Sequence, residues 1–361
     1  MGSTVHIDGN RGWGGGQQQA LGLALALAAR GDETAFIVQR GSALAGRLRA
    51  TYLMWEETEL RGLRGMGAAL RLARRLRELG PQIVHIHDSA SHAAAGLAAR
   101  LAGGPKVVVT RRTDFPMRGG WVGRAKYELW CDRLICISEA VHRRCVEAGL
   151  SKERLAVIPD FVDCRHFAPG AGPPIEREER PTIAAVGRLA REKGHRVLLR
   201  AMRRVVQEVP QARLVISGEG GEEALLRRQT EAAGLSSSVQ FAGFVPDVRA
   251  VLSGADVFVM PSLSEGLGGA VLEAMAMGKP TVVSDAGGLP ESVVHGETGL
   301  VVPAGDAEAL AAGVTELLKD RERAREMGRA GRERALAMFD RPRVVERVLA
   351  LYEEILGGAG T

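Results

Sequence analysis

Pro261-Ser-Leu-Ser-Glu265-Gly-Leu-Gly-Gly-Ala-Val-Leu-Glu273-Ala-Met-Ala-Met-Gly278-Lys-Pro280-Thr-Val-Val-Ser284-Asp-Ala-Gly-Gly-Leu-Pro290-Glu291 follows the apolar run Val257 to Met260. A buried run thus meets a Ser/Gly loop, which opens a helix from about Gly269 to Met277, which feeds a second buried run, Thr281 to Ser284. Strand, loop, helix and strand in that order make one crossover of a parallel sheet. Gly266, Gly268 and Gly269, with Leu267 between them, let the backbone approach a ligand, and the amides that open the helix favour an anion such as phosphate.

Two acids bracket this loop. On a continuous helix Glu265 and Glu273 would lie about 12 Å apart along the axis and about 80° apart around it, so they cannot share one atom. They can hold two ends of a long ligand, with a diphosphate on the amides between them. Carboxylates accept from vicinal hydroxyls, which suits a ribose at one end and a hexose at the other. The plainer alternative makes Glu265 an acid near a helix start and Glu273 a solvated helix residue. Val271, Leu272, Ala274, Met275 and Ala276 leave that helix little polar face and weigh against it.

The stretch resembles the donor-site motif of the retaining nucleotide-sugar glycosyltransferases of the GT-B fold, the group 1 family, with its two glutamates. Gly187-Arg188-Leu189 with Glu192-Lys193-Gly194, Gly218-Glu-Gly220, Gly243-Phe244-Val245-Pro-Asp247, Gly296-Glu-Thr-Gly-Leu300 and the last helix follow the family's order from about residue 155 onward; the first half matches more loosely. The resemblance implies an α/β chain of two Rossmann-like, doubly wound domains facing a cleft. The first spans 1–168, a linker 169–181 and the donor-binding domain 182–340, and a helix over 342–356 crosses back to the first. It also implies a nucleotide-diphosphate sugar as donor, no cofactor, no tightly bound metal and retention of configuration. A binding protein without turnover and a GT-B sugar-nucleotide epimerase are the alternatives.

Length allows two or three domains, and the composition, 45% hydrophobic and 25% charged, is that of a globular chain. Residues 1–168 carry 24 basic and 16 acidic residues, a balance of +8, against −3 for the rest. Arg61, Arg64, Arg71, Arg74, Arg75 and Arg77 supply much of this on and before a helical pattern with Leu70, Leu72, Leu76 and Leu79. That face is either ordinary solvated surface or a docking face for an anionic lipid or glycan precursor at a membrane. No nucleic-acid motif accompanies it. Cys131, Cys136, Cys145 and Cys164 lack metal-type spacing and suit free thiols in a reducing cytoplasm. The run Ala20 to Ala29 is too short to span a bilayer.

Thr4 to Asp8 reads as a first strand, followed by a loop with Gly14, Gly15 and Gly16 and a helix to about Arg30. The spacing is not that of the dinucleotide fingerprint, and Gln39-Arg40 offers no acid for an NAD ribose. By resemblance Gly15 and Gly16 lie near the donor. Further strands are expected at 34–39, 51–55, 83–86, 106–110, 134–137 and 155–158, with helices between them; such alternation predicts a parallel sheet. Ligands in these sheets sit beyond the carboxyl ends of the strands, which singles out His87-Asp88-Ser89, Arg111-Arg112-Thr113-Asp114 and Ser138-Glu139. His85, deeper on the face of His87, reads as a core histidine. Arg112 stands near where many members of the family carry a histidine. A guanidinium is a poor proton shuttle but a strong fork for phosphate or carboxylate, so Arg111 and Arg112 are expected either to hold an anionic acceptor or, for Arg112, to pair internally with Asp88 or Asp114. His87 is a candidate substitute for the histidine, and Asp114 an active-site acid or a turn cap. Asp160-Phe161 is a second departure, where the family has Asn-Gly.

In the second half Arg188 and Lys193 share one loop and are expected to neutralise the charge on a departing diphosphate. Gly218 marks a close-approach loop. Phe244 and Val245 match the base-binding turn, although Phe244 reads equally well as core.

Overall fold

A computed structural model describes residues 2–60, 66–115, 120–172 and 180–357. Arg61 and Arg64 of the basic segment, and 173–179 of the expected linker, lie outside the described residues. The chain forms two compact units, Met1–Asp160 with Pro342–Thr361, and Phe161–Arg341.

Among the described residues the first unit has seven strands, β1 (Ser3–Asp8), β2 (Glu33–Gln39), β3 (Met54–Thr58), β4 (Ile83–Ile86), β5 (Lys106–Arg111), β6 (Arg133–Cys136) and β7 (Leu155–Val157). They pair in parallel in the order β3-β2-β1-β4-β5-β6-β7. The second has six, β8 (Thr182–Val186), β9 (Arg213–Ser217), β10 (Val239–Gly243), β11 (Val257–Met260), β12 (Thr281–Ser284) and β13 (Leu300–Val302), parallel in the order β10-β9-β8-β11-β12-β13. Each unit is therefore doubly wound, as the alternation of patterns predicts. The order reverses between β1 and β4 and between β8 and β11, and beyond those strand ends such folds bind ligands.

Burial of both sheet faces explains the run-like strands: β4, β11 and β12 are buried at every position. The helix His195–Glu208 shows how the layers lock, since Val197, Leu198, Leu199, Ala201, Met202 and Val205 pack on Ile183, Leu214 and Ile216. Each large apolar side chain so buried contributes roughly 1.5–3 kcal/mol. The C-terminal helix Arg341–Gly357 turns Val344, Val345, Val348, Leu351, Tyr352 and Ile355 inward, and from Pro342 it groups with the first unit.

Local chemistry shifts three boundaries. The third strand starts at Met54 rather than 51 because the Thr51 hydroxyl and amide both donate to Leu48 O, at 2.8 and 2.9 Å, and prolong the preceding helical turn. The sequence pattern from Asp306 to about Met338 reads as continuously helical, but the structure breaks it at Asp320: Asp306 accepts from the Glu308 and Ala309 amides, and Asp320 caps a new helix by accepting from the Arg323 amide. Residues 161–168, expected to close the first domain, cluster with the second unit. There the Val162 amide donates to Phe339 O at 2.8 Å and Arg332 donates to Phe167 O at 3.3 Å. All four cysteines are free and buried. No helix among the described residues is long and apolar enough to cross a membrane.

Candidate active site

At the switch point of the second unit, three loops are welded through their backbones. A Cβ on Gly194 would lie 1.8 Å from Pro261 O, and one on Gly218 would lie 1.9 Å from Gly187 O, so only glycine permits these approaches; φ is +69° and +139° at the two residues. The Leu263 amide donates to Glu192 O at 2.7 Å, and Gly218 donates to Gly243 O at 2.8 Å. The loops after β8, β9 and β11, with the last residue of β10, thereby form one rim.

Lys193 Nζ donates to Glu265 Oε2 at 2.5 Å, with the side chains 22% and 14% exposed, and the Ser262 hydroxyl donates to the same carboxylate at 3.3 Å. Arg188, 67% exposed, donates to Glu192. The two cations read together from the sequence thus each hold a carboxylate of their own. Gly266, Leu267 and Gly268 are buried, Gly268 capping the helix Gly269–Ala276 in a left-handed conformation; the Gly269 and Ala270 amides begin that helix and have no intrahelical acceptor. Within the helix Val271, Leu272, Ala274, Met275 and Ala276 are buried and Glu273 is half-buried. Phe244 is no core residue: its ring is 54% exposed, because the chain bulges between Phe241 and Gly243. Val245 is half-buried, and Asp247 of the same turn is bound by Arg249, which holds its carboxyl below the usual range.

At the switch point of the first unit, Asp88 accepts from the amides of Gly9, Ala90 and Ser91, at 2.6, 2.7 and 2.9 Å, and from the Ser91 hydroxyl. It fastens the loop after β4 to the glycine loop after β1. Asp8 accepts from the Asn10 amide and Gln17 Nε2; burial and the neighbouring Asp88 push its carboxyl up to about 6.

His6, His85 and His87 line up beside this loop, all buried. Arg112 Nη1 lies 3.4 Å from His87 Nδ1, and a guanidinium only donates, so that nitrogen accepts. His87 Nε2 then carries the proton and donates to His6 Nδ1 at 2.8 Å, which leaves the His6 proton on Nε2, a buried atom without a partner among the described residues. His85 is committed to the Tyr352 hydroxyl at 2.6 Å and Thr110 at 2.7 Å. One nitrogen from each ring falls within 4.8 Å of the others, the spacing of a metal site. These nitrogens are engaged with one another and with hydroxyls, an arrangement that describes a hydrogen-bond chain of neutral imidazoles. Burial first, and then the Arg112 charge, hold His6 down at about 3.

The expected internal partners of Arg112 are corrected. It donates from Nε to Asp160 at 2.9 Å, both side chains 14% exposed, because Asp88 is already saturated by the loop and Asp114 is bound by Arg144 at 3.3 Å. The two departures from the family pattern, Arg112 and Asp160, are thus partners in one ion pair. Arg111 and Arg112 do not form a single fork: Arg111 donates to Phe115 O, whereas Arg112 donates to Asp160. Gly16 is where the Arg112 chain runs close, 3.7 Å from an added Cβ, whereas a Cβ on Gly15 would meet nothing within 4 Å.

With this geometry in place, the likenesses are specific. Residues 173–334 match the family model described as "Glycosyl transferases group 1", and 13–166 match "Glycosyltransferase Family 4". The alpha-maltose-1-phosphate synthase of Mycolicibacterium smegmatis is 32% identical over 310 residues, covering 76% of this chain and 79% of that protein. The chain belongs to the group 1 glycosyltransferases. A GDP-mannose-dependent alpha-(1-6)-phosphatidylinositol monomannoside mannosyltransferase of Mycobacterium tuberculosis is likewise 32% identical, over 77% of both chains. Anabaena HepE, solved with UDP and glucose, superposes with a TM-score of 0.87 at 19% identity over 97% of this chain and 99% of its own. The fold is GT-B, and this glycosyltransferase moves a sugar from a nucleotide-sugar donor to an acceptor.

Sequence reasoning missed His6, although a signal existed: the parallel register of β1 and β4 sets His6 opposite His85. It also missed Lys126 and His92, which lie on helices whose periodicity marks them only as surface and core.

Proposed function

We propose that the second unit holds the donor with Glu273 on the ribose hydroxyls, Glu265 on the transferred sugar and the diphosphate on Lys193, Arg188 and the Gly269 and Ala270 amides. Gly218 lets the loop after β9 close against Gly187 and Arg188 beside the phosphates, and Phe244 and Val245 border the base. The carrying observation is the Lys193–Glu265 pair at the β8/β11 switch point, beside the opening of the Gly269–Ala276 helix. As the glycosidic bond breaks, negative charge grows on the leaving diphosphate, and Lys193 and Arg188 stabilise it without a metal ion. HepE's UDP and the mannosyltransferase's GDP-mannose support a pyrimidine or purine diphosphate sugar as donor. Configuration is retained.

The first unit takes the acceptor, an anionic lipid or glycan precursor. Its excess of basic residues and the exposed Leu70 beside Arg71 and Arg74 favour contact with an anionic membrane surface. Release of nucleoside diphosphate should rise when acceptor is supplied and persist in EDTA. Donor bound but no diphosphate released with or without acceptor, or donor recovered with an inverted sugar carbon, would replace this reading with a binding protein or an epimerase.

Gly15 and Gly16 keep side chains away from bound substrate. Because nothing obstructs a Cβ at Gly15 and its φ is not left-handed, Gly15→Ala should stabilise the first helix, by up to about 1 kcal/mol. The same substitution should raise a substrate KM about tenfold, the equivalent of about 1.4 kcal/mol. Melting curves and steady-state kinetics check both; a higher melting temperature with unchanged KM removes Gly15 from the site.

A further inference from the structure

We propose that Arg111 and Lys126 of the first unit, with Tyr127 and His92 behind them, form a seat for the phosphate or carboxylate of the acceptor. This rests on the assignment of the acceptor to the first unit. The cations nearby are already matched, Arg112 with Asp160 and Arg144 with Asp114 and Glu147. Among the described residues Arg111 and Lys126 form no ion pair.

Arg111 ends β5 and donates to Phe115 O, and among the described residues its buried Nε has no partner. Lys126, on the helix Gly120–Trp130, gives one proton to Ser89 O at 3.2 Å. Burial first and then the Arg111 charge lower its pKa; Asp88 acts the other way, but that carboxylate is occupied by three amides and a hydroxyl. His92 is wholly buried against the Tyr127 ring, 4.6 Å between centroids, and among the described residues neither of its nitrogens has a partner. Two neighbouring cations that repel one another and retain unused donors lie beyond the carboxyl ends of β4 and β5. A tetrahedral or planar anion relieves both conditions: the guanidinium offers a fork and the ammonium a point charge.

The anion can come from a lipid headgroup or from a soluble phosphate, and the test separates them. The full chain is saturated with UDP, so that the donor site is closed to small anions, and is titrated with inorganic phosphate by calorimetry. It is also sedimented with vesicles of phosphatidylglycerol and, separately, of phosphatidylcholine. Arg111→Gln and Lys126→Gln should each weaken phosphate binding about tenfold or more, the loss expected for one charged hydrogen bond, with UDP affinity unchanged. Arg111→Lys, which keeps the charge and loses the fork, should fall between, and it guards against a folding defect, as do melting curves of all variants. If the seat takes a headgroup, phosphatidylglycerol vesicles retain the wild type more strongly than the double variant, which keeps only the contact of the Leu70 face, and inorganic phosphate removes the difference. If it takes a soluble phosphate, binding is seen in calorimetry and vesicles retain wild type and double variant alike. Equal phosphate and vesicle binding by wild type and double variant, or none by the wild type, overturns the proposal. Failure of UDP to bind the wild type counts instead against the donor reading.

Discussion

On acidification from pH 7 to pH 5 the first unit should lose at least about 3 kcal/mol of stability, a large part of the 5–15 kcal/mol typical of a domain. Burial holds His6 and His92 down at about 3, with the Arg112 and Lys126 charges acting in the same sense, and His85 and His87 are lowered well below their ordinary value chiefly by burial. The unfolded chain takes up protons below pH 6.5 that the folded chain refuses, so stability present above pH 6.5 drains as the pH falls toward the folded value. At pH 5 that loss is about 2 kcal/mol for each of His6 and His92, and His85 and His87 add to it. Asp8 works in the opposite direction. Its folded value of about 6 means that it regains stability as the pH drops through 6, but only about 1 kcal/mol by pH 5. The histidines win. The second unit has His195, held at about 4 by burial and the Lys193 charge, and should lose about 2 kcal/mol. Urea melts at several pH values between 5 and 7.5 should therefore show the first unit destabilised more steeply, and His92→Phe should flatten its slope. Melts that superimpose over that range would show that these imidazoles titrate normally.

The histidine chain also marks where the sequence stops being informative. The strand-loop-helix-strand unit around Glu265 is legible because apolar runs, glycines and helix period all agree over one continuous stretch, and β11 and β12 pair as it requires. The positions of His87, Arg112, Arg188 and Glu265 follow from strand parity and from the rule that ligands gather at carboxyl ends. Partner choice does not follow. Arg112 finds Asp160 across 48 residues, His6 finds His87 across 81, and Lys193 finds Glu265 across 72. Each depends on which strands are neighbours and which competing carboxylate is already occupied. Asp88 shows the difficulty: in sequence it is the nearest acid to His87, yet its oxygens are consumed by Gly9, Ala90 and Ser91. The exposure of Phe244 was hidden for a related reason, since it depends on a bulge of one residue at the end of β10.

Replacing Lys193 should cost far more activity than its half-buried surroundings suggest. In the structure Lys193 Nζ donates to Glu265 Oε2 at 2.5 Å. If the donor binds as proposed, its diphosphate competes with Glu265 for the ammonium and the released carboxylate accepts from the sugar's hydroxyls, so that one exchange of partners would load both ends of the reacting bond. Lys193→Gln should weaken UDP binding and lower kcat by about 100- to 1000-fold, the loss usual when a donor to developing negative charge is removed. Glu265→Gln removes the competitor: UDP affinity should hold or rise while kcat falls, because the lost contact is with the sugar and not with the nucleotide. Glu273→Gln, acting on the ribose, should reduce UDP affinity by about 1–3 kcal/mol. The double variant of Lys193 and Glu265 should depart from additivity by about 0.5–3 kcal/mol, as contacting partners do. Calorimetry with UDP and turnover measured on the same preparations decide the matter. If Lys193→Gln and Glu273→Gln bind UDP as the wild type does, the second unit holds its donor by other residues; if the Lys193 and Glu265 effects simply add, the two residues work independently and the exchange does not occur.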